Sequence, residues 1–270
     1  MQDISDPLVT RAFDAAYRHW SHLLADRARK LPKELVGERV EQRFRRLCLE
    51  LAPTLALEVG AHEATFSAWL KAELPATRCV AFEANPYVHE KYAGEHADSG
   101  VEYHHLAVSE VDGTVELGIP RQLHNTRRGR RFDKDRDSRM ASLAHHRYAE
   151  ETETVAVPSV PLDDFVSVAD DDVVVAWIDV EGATGQVLSS GQKVLARASL
   201  VYVEVESEQV WDGQWLDTDV ARFLAGCGLV PVMRDVQRAH QYNVVYVDAE
   251  LASRRRIARQ VNAIYRRARA

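Results

Sequence analysis

Apolar residues recur at helical spacing in the first fifty positions of the chain. Within residues 4–50 this spacing predicts two helices, because apolar side chains three or four positions apart share one helix face. The stretch LPKEL (31–35), with its proline, indicates the break between the two helices. The apolar positions are Leu8, Phe13, Tyr17 and Trp20 for the first helix and Val40, Phe44, Leu47 and Leu51 for the second.

From residue 54 onward the pattern changes to short apolar runs that alternate with helical stretches. The runs cover 54–60, 79–84, 101–108, 173–182, 199–206, 229–233 and 242–249, and the helical stretches cover 64–74, 86–95, 184–195 and 215–226. This alternation predicts an α/β fold with a mostly parallel sheet covered by helices on both faces. About eight residues separate the last two runs, too few for a crossover helix, so those runs should form an antiparallel hairpin. Ligands of such sheets bind at the carboxyl ends of the strands.

An insertion interrupts the alternation between the third and fourth runs. Residues 113–120 and 154–165 are predicted as added strands, and the arginine-rich stretch 121–139 lies between them. We predict a mobile lid at 121–139, because long insertions are normally functional or disordered. Its arginines alternate with aspartates and no aromatic ladder accompanies them, which argues against base stacking. A disordered loop without function stays open as the alternative.

Composition and charge restrict the classes of function. The 270 residues carry a formal net charge of -7, which argues against general nucleic-acid binding. No apolar run approaches the roughly 18 residues of a membrane span, and no signal core is present at the amino terminus. The three cysteines, Cys48, Cys79 and Cys227, are scattered, so neither a disulfide framework nor a thiolate zinc site is expected. We therefore expect a cytoplasmic protein.

The stretch ALEVGAHEATFSAW (56–69) begins like a phosphate-binding glycine loop and departs from it after Gly60. His62 and Ala64 replace the two further glycines that a dinucleotide pyrophosphate needs for close backbone approach. Glu58, at the end of the predicted strand, would repel phosphate. A ligand without phosphate and with a positive charge fits better, and S-adenosylmethionine has both properties.

Glu83 ends the second predicted strand, 23 residues after Gly60. A carboxylate at that position accepts hydrogen bonds from both hydroxyls of a ribose and repels a 2′-phosphate. Either carboxylate, Glu58 or Glu83, taken alone is also compatible with a solvated strand end. The combined spacing favours S-adenosylmethionine.

Several segments together resemble the FkbM-type methyltransferases. These are LEVGAHEATFSAWL, AFEANP, HHLAVSEVDGTVEL, VPSVPLDDF, WIDVEGATGQVLSSG and LVYVEVE, in that order. The resemblance implies a class I methyltransferase sheet, mostly parallel with one antiparallel strand in a terminal hairpin, over residues 51–250. Residues 1–50 then form an N-terminal helical extension. In the tail, apolar residues recur at helical spacing, so we predict that residues 251–270 form a C-terminal basic helix that docks on the body. These apolar residues are Leu251, Ile257, Val261, Ile264 and Tyr265. Ala64 departs from the family, which usually has a glycine there.

The resemblance also implies an activity, namely S-adenosylmethionine-dependent methylation of a hydroxyl on a sugar, oligosaccharide or glycosylated metabolite. A weaker resemblance is to enzymes that methylate mannose units of mycobacterial polysaccharides. We assign the cofactor contacts to the ends of the first four strands. The assigned residues are Glu58, Gly60, Ala61, His62, Glu83, Ala84, Ala107 and Asp179.

A sugar hydroxyl is a poor nucleophile, so a general base or a metal ion is expected beside the methyl group. As catalytic residues we predict His145, then His146, with His240 third, together with Asp179. His104 and His105 should have stacking or structural roles instead.

Asp179 and Glu204 should end neighbouring strands about 4.8 Å apart. We predict that they bind Mg²⁺ with Glu206 as a further ligand, and that Glu181 turns toward the following helix. The opposing expectation is that Asp179 contacts the cofactor and Glu204 pairs with a distant cation. Both remain open at this stage.

Two other classes of protein also remain open. One is an NAD(P)-dependent oxidoreductase, disfavoured by the missing glycines, and the other is a non-catalytic nucleotide-binding domain. The acceptor, a small molecule or an oligosaccharide, is not identified by any motif. A homodimer is compatible with the sequence.

Overall fold

The computed structural model describes residues 7–125 and 130–265. Its helices, in chain order, are α1 (Pro7–Ala28), α2 (Lys33–Leu51), α3 (Thr65–Glu73), α4 (Pro86–His96), α5 (Leu162–Phe165), α6 (Thr184–Ser190), α7 (Gln192–Leu195), α8 (Asp217–Gly226), α9 (Ala249–Ala252) and α10 (Arg255–Ile264). Its strands are β1 (Leu55–Val59), β2 (Arg78–Glu83), β3 (Val101–His105), β4 (Ala107–Val108), β5 (Gly113–Asn125), β6 (Arg130–Asp133), β7 (Ala149–Val160), β8 (Val174–Ile178), β9 (Ala198–Glu206), β10 (Leu229–Arg234) and β11 (Gln241–Asp248).

The main sheet has the strand order β10-β11-β9-β8-β1-β2-β3 within the described ranges. Neighbouring strands from β3 to β9 pair in parallel, whereas β11 pairs antiparallel with both β9 and β10. This is the sheet of the class I methyltransferase fold, so the predicted fold class and the predicted terminal hairpin are confirmed. The chain reverses its direction along the sheet at β1, where β8 lies on one side and β2 on the other. A crevice is expected at this point.

Helices cover both faces of the main sheet, and each face has its own apolar core. Alternation along β1 sends Leu57 into a core with residues of α1, α6 and α8, and sends Ala56 into a core with residues of α2, α3 and α10. Tyr17 of α1 is 4% exposed and Phe44 of α2 is 0% exposed. The two predicted N-terminal helices therefore exist and share their cores with the sheet. The domain boundary at residue 50 stays a prediction.

The insertion forms a second sheet with the order β4-β7-β5-β6 among the described residues. The added strands predicted at 113–120 and 154–165 correspond to β5 and β7, which pair antiparallel along most of their length. Most of the described part of the stretch 121–139 is not a separate loop, because residues 121–125 extend β5 and residues 130–133 form β6 against it. Residues 126–129 lie outside the described residues. Residues 134–139 return toward the main sheet.

Three predicted elements differ in their ends. The run 101–108 divides at Leu106, because its last two residues leave the main sheet and pair with β7. The run 173–182 is a strand only to Ile178, and the chain then turns away. The helix expected at 184–195 divides at Gly191, where a β-carbon would lie 2.7 Å from Leu162 Cδ2.

The C-terminal segment docks on the body, as its apolar spacing predicted. Ile264 of α10 is 2% exposed and belongs to the core beneath α2 and α3. The Tyr265 hydroxyl accepts a hydrogen bond from the Arg234 backbone N–H (2.8 Å) and donates one to the Arg234 carbonyl (2.6 Å). Among the described helices, none has both the length and the apolarity that a membrane crossing requires.

Candidate functional site

A cavity of about 630 Å³ opens at the carboxyl ends of β1, β2, β8 and β9. Segments far apart in sequence contribute to its wall, among them the loop after β1, the end of β2, the segment 138–143 and the turn between β10 and β11. The predicted cofactor residues that line it are Glu58, Gly60, Ala61, His62, Glu83, Ala84, Ala107 and Asp179. The structure thus brings every one of them to a single cavity.

The loop after β1 keeps the backbone conformation of a glycine loop although His62 and Ala64 replace two of its glycines. Gly60, His62 and Ala64 all have positive φ, at 77°, 47° and 51°. L-residues pay roughly 1–2 kcal/mol for this left-handed conformation, so the surrounding contacts must hold it. His62 is held because its backbone N–H donates to Glu83 Oε2 (2.7 Å) and its carbonyl accepts from the Tyr103 hydroxyl. His62 and Ala64 therefore add side chains to the loop but leave its backbone conformation like that of a glycine loop.

Glu58 is buried, and its carboxylate is already engaged with the protein. It accepts hydrogen bonds from the backbone N–H groups of Phe66 (3.2 Å) and Ser67 (2.7 Å), in the first turn of α3. The residue preceding that helix, Ala64, has no side chain that could cap it, so Glu58 supplies the cap from the neighbouring strand. Burial raises the pKa of Glu58 to about 7. Glu58 therefore positions the loop and the helix, and its contact with the cofactor stays a prediction.

Glu83 ends β2 and faces the cavity from the β2 side. Its two oxygens accept from the backbone N–H groups of His62 and Asn85, both at 2.7 Å. Burial raises the pKa of Glu83 to about 7. Each oxygen retains a further lone pair, so the carboxylate can still accept hydrogen bonds from a vicinal diol.

The segment 134–143 covers the cavity from the second sheet. Asn85 Nδ2 donates to the Arg136 carbonyl (2.8 Å), and Lys91 Nζ lies 2.6 Å from Asp137 Oδ2. The Ser142 hydroxyl donates to the Glu181 carbonyl. These contacts fasten the segment to β2, α4 and the loop after β8, so it lies over the cavity as a cover. Whether the cover moves stays a prediction.

Four carboxylates stand together on the side of β8 and β9. Because Ile178 pairs with Val203 in the parallel register, Asp179 and Glu204 follow as neighbours, as predicted. Asp179 is exposed toward the cavity, but protein groups surround the cavity, so Asp179 is open to a ligand and still shielded from bulk water. Carboxylate oxygens of Glu181, Glu204 and Glu206 lie within 4.8 Å of one another. Glu181 therefore joins this group instead of turning toward α6, and Asp179 stands beside the three.

Burial raises the pKa of each carboxylate in this acidic wall (Asp179, Glu181, Glu204, Glu206), and repulsion from other members of the wall adds to the rise for Glu181, Glu204 and Glu206. For Glu206 burial is the main cause, and the pKa is about 7. For Glu181 and Glu204 burial again comes first and neighbouring carboxylates add to it, whereas Arg139 partly offsets the rise in the pKa of Asp179. Gln241 Nε2 donates to Glu204 (2.7 Å) and Glu206 (3.4 Å). Within the described residues, no lysine or arginine forms an ion pair with any of the four.

The histidines predicted as bases lie elsewhere. His145 and His146 line a separate cavity of about 160 Å³ beside Trp211. His146 is 7% exposed and packs edge-on against Trp211 with ring centroids 4.5 Å apart, and burial lowers its pKa to about 4. His240 Nδ1 lies 3.2 Å from Glu208 Oε1 on the surface. Their geometry does not support a base role for these residues, because none of the three lines the main cavity.

His104 and His105 pack as the sequence suggested. His105 stacks on His89 with ring centroids 5.2 Å apart, and a ring nitrogen lies 3.2 Å from the Ala84 carbonyl. His104 packs against Phe82 and Phe165.

Several cavity residues had no signal strong enough to find them in the sequence. In the sequence, Trp177 is one apolar residue of a predicted strand. In the structure it lines the cavity and stacks on Tyr202, with ring centroids 3.9 Å apart. The turn between β10 and β11 reads as a surface hairpin. The other cavity residues of this kind are Lys33, Arg139, Ser142, Gln237, Arg238 and Gln241.

Comparison with known proteins gives one family. The model of the methyltransferase FkbM domain matches residues 58–231. No curated protein matches the chain significantly.

Solved structures with a similar fold include several methyltransferases whose sequence identity to this chain is low. One is a magnesium protoporphyrin IX methyltransferase from Synechocystis PCC 6803 with bound SAM, 8% identical over 80% of this chain and 79% of that one, with a TM-score of 0.42. Another is a 1,6-didemethyltoxoflavin-N1-methyltransferase from Burkholderia thailandensis, 13% identical over 92% of each chain, with a TM-score of 0.39. A third is an O-methyltransferase family protein from Burkholderia thailandensis, 11% identical over 90% of this chain and 60% of that one, with a TM-score of 0.38.

Proposed function

Because the chain belongs to the FkbM methyltransferase family and is thus an S-adenosylmethionine-dependent methyltransferase, we propose that it methylates a hydroxyl group of a sugar, an oligosaccharide or a glycosylated metabolite. One observation carries the proposal: a single cavity connects Glu83, suited to a ribose diol, with Asp179, a carboxylate open to the cavity. Family membership overturns the alternative of an oxidoreductase. A mannoside of a polymethylated polysaccharide is the narrower acceptor that we propose to test first.

The residues on the β1 and β2 side fit the proposed cofactor. Glu83 has free lone pairs for the ribose hydroxyls, and Gly60 in the left-handed conformation is part of the cavity wall. Leu106, Ala107 and Leu117 supply the apolar part of the wall that an adenine needs. Bound in this way, S-adenosylmethionine supplies an activated methyl group on its sulfonium.

Asp179 is the proposed general base. As the oxygen–methyl bond forms and the sulfur–methyl bond breaks, the acceptor hydroxyl loses its proton to the Asp179 carboxylate, and the products are a methyl ether and S-adenosylhomocysteine. Burial raises the pKa of Asp179 above its usual range, which makes its carboxylate a stronger base than a solvated aspartate. The surrounding wall holds the acceptor oxygen in line, and such positioning supplies much of the rate of a displacement.

A divalent cation is a second component of the proposal. Glu181, Glu204 and Glu206 offer the hard oxygen ligands that Mg²⁺ prefers, and among the described residues no salt bridge neutralises them. Bound there, Mg²⁺ would lower the pKa of a coordinated hydroxyl. The proposed ligand set thus retains Glu204 and Glu206 from the sequence prediction, and Glu181 replaces Asp179 as the third ligand. The opposing hypothesis is that the wall acts without a metal.

Two measurements test the proposal. Calorimetry should show binding of S-adenosylmethionine and not of NADH, which separates a methyltransferase from a dinucleotide enzyme. Methyl transfer from labelled cofactor to a panel of mannosides, other sugars and amines should give methyl ethers. The Asp179→Asn variant should bind cofactor but lose at least about 100-fold in turnover. Methylation of amines alone, or an Asp179→Asn variant with normal turnover, contradicts the proposed O-methyl chemistry or its base.

A further inference from the structure

Cationic side chains line the cavity on two sides, although the whole chain has a net charge of -7. Lys134 and Arg139 belong to the cover, near the loop after β1. Lys33 and Arg238 lie on the other side, beyond β9. A cofactor that extends from Glu83 toward Asp179 spans β2, β1 and β8, so Lys33 and Arg238 lie past its far end.

Lys33 and Arg238 come from segments about 200 residues apart that meet at the mouth of the cavity. Lys33 is the first residue of α2, and its Nζ donates to the Gln237 carbonyl at 3.5 Å. The turn that carries Arg238 is fixed, since the Arg238 backbone N–H donates to the Gln241 carbonyl (3.0 Å). Gln237 Nε2 also donates to the buried Asp235 carboxylate (2.6 Å). The backbone of this turn is therefore held in place beside Lys33.

Neither cation has a strong protein counter-ion. Lys33 Nζ lies 3.8 Å from Glu34, and both side chains are more than 60% exposed, so this pair is weak. Within the described ranges, Arg238 forms no salt bridge. Its charge acts on Glu181 and Glu206 from the solvent side, because Arg238 is exposed and Glu206 is 5% exposed. Two cations with open coordination thus stand outside the acidic wall.

We propose that Lys33 and Arg238 form an anion subsite for the acceptor, so that the methylated substrate carries a phosphate or carboxylate group next to the reacting hydroxyl. This inference rests on the proposed O-methyl transfer at Asp179. The inner carboxylates engage the hydroxyl, and the outer cations bind the anionic substituent. Arginine suits such a group because its guanidinium forms paired hydrogen bonds with carboxylate or phosphate oxygens.

The two cations have one rival role, which is to offset the repulsion within the acidic wall. In that case Arg238→Gln would lower thermal stability at high pH but would not change the affinity for anions. If the two cations form an anion subsite, Arg238→Gln should instead weaken anion binding strongly and change thermal stability little. The two roles therefore differ in a direct binding measurement.

The test is a calorimetric titration of the full chain, saturated with S-adenosylhomocysteine, at low ionic strength. The probes are mannose, mannose 6-phosphate, glucuronate and inorganic phosphate. We expect mannose 6-phosphate or glucuronate to bind at least about tenfold more tightly than mannose, and the better of the two identifies the anionic group. The double variant Lys33→Gln/Arg238→Gln should remove this preference. Arg29→Gln, which removes an exposed positive charge just after α1 and outside the cavity, should keep it.

Equal affinity for neutral and anionic sugars would overturn the subsite, as would anion binding that survives the double variant. Binding of S-adenosylhomocysteine and methyl transfer to a neutral sugar would persist in both of those cases. If the unmodified protein neither binds S-adenosylhomocysteine nor transfers a methyl group to a sugar, that result contradicts the proposed function instead. The two failures are thus distinguishable in the same set of titrations.

Discussion

Gly60 faces the backbone of Asp179 so closely that a β-carbon on residue 60 would lie 2.0 Å from the Asp179 carbonyl oxygen. This contact joins the ends of β1 and β8, the neighbouring strands at which the chain reverses its direction along the sheet. The backbone N–H of Asp179 donates to the Val59 carbonyl (2.9 Å), so the two strand ends are locked together. A side chain at position 60 would therefore displace the loop that lines the cavity.

Gly60→Ala should destabilise the protein by about 2–4 kcal/mol, through overpacking against backbone and a positive φ. Cofactor affinity should fall as well. Thermal unfolding and calorimetry measure the two effects. The matched control is Gly94→Ala, because Gly94 lies in α4 with open space around its β-position, and this change should leave stability equal or higher. Equal effects of the two substitutions would contradict the close approach.

Ala64→Gly should cost little or nothing, because glycine adopts the left-handed conformation of residue 64 without strain. The loss of a buried methyl, about 0.8 kcal/mol, offsets part of the gain. Ala68→Gly, one turn later inside α3, should cost about 1 kcal/mol. Urea unfolding of the two variants compares them directly. An Ala64→Gly variant at least as destabilised as Ala68→Gly would show that residue 64 is unstrained.

Glu83→Ala should weaken the binding of S-adenosylmethionine by about 1–3 kcal/mol, the size of lost hydrogen bonds to a charged group. It will also leave the N–H groups of His62 and Asn85 without their acceptor. Glu90→Ala on the exposed side of α4 serves as the control. Calorimetry gives the affinity, and circular dichroism checks that the variant is folded. A folded Glu83→Ala protein with unchanged affinity would place the ribose elsewhere.

The acidic wall should make the protein less stable as the pH rises. Burial raises the folded-state pKa of Glu206 from 4.5 to about 7, so the folded state retains a proton that the unfolded state releases between those values. The free energy of unfolding then falls as the pH rises through this window. Glu58 and Glu83 act in the same direction, for the same reason.

Glu204→Gln should therefore raise stability at pH 8 by about 1–3 kcal/mol and reduce the slope with pH. A glutamine at this position can still accept the hydrogen bond from Gln241. Glu208→Gln, an exposed carboxylate near the same strand end, is the control and should change little. Thermal unfolding between pH 5 and pH 9, without added divalent cations, measures both. Lower stability of Glu204→Gln at pH 8 would mean that its charge has a counter-ion in solution.

If the acidic wall binds Mg²⁺, the cation should raise the melting temperature, and it should do so less in Glu181→Gln and Glu204→Gln. Chelation should reduce methyl transfer, and Mg²⁺ or Mn²⁺ should restore it. Asp219→Asn, a carboxylate of α8 that pairs with Arg222, is the control for general salt effects. Full activity in chelator, with no thermal shift by Mg²⁺, would remove the metal and leave the proton transfer to Asp179 alone.

The sequence determined much of the fold by itself. Apolar runs of strand length alternating with helical stretches gave the strands of the main sheet, and the short connection before Tyr242 gave the antiparallel hairpin. Gly60 and Glu83 were placed correctly at strand ends facing one cavity, because the carboxyl ends of parallel strands share one edge of the sheet. These features follow from local periodicity and from a rule of topology.

The tertiary structure alone decided which polar groups meet. Glu58 caps α3, Glu181 joins Glu204 and Glu206, and His146 packs on Trp211 away from the main cavity. Lys33 and the turn that carries Arg238 meet across about 200 residues of sequence, through the hydrogen bond from Lys33 to the Gln237 carbonyl. Past the end of a strand, the direction of a side chain depends on turn geometry and on partners from distant segments. Hydrophobic periodicity records which face of an element is buried, but it carries no information about where a polar side chain beyond that element will point.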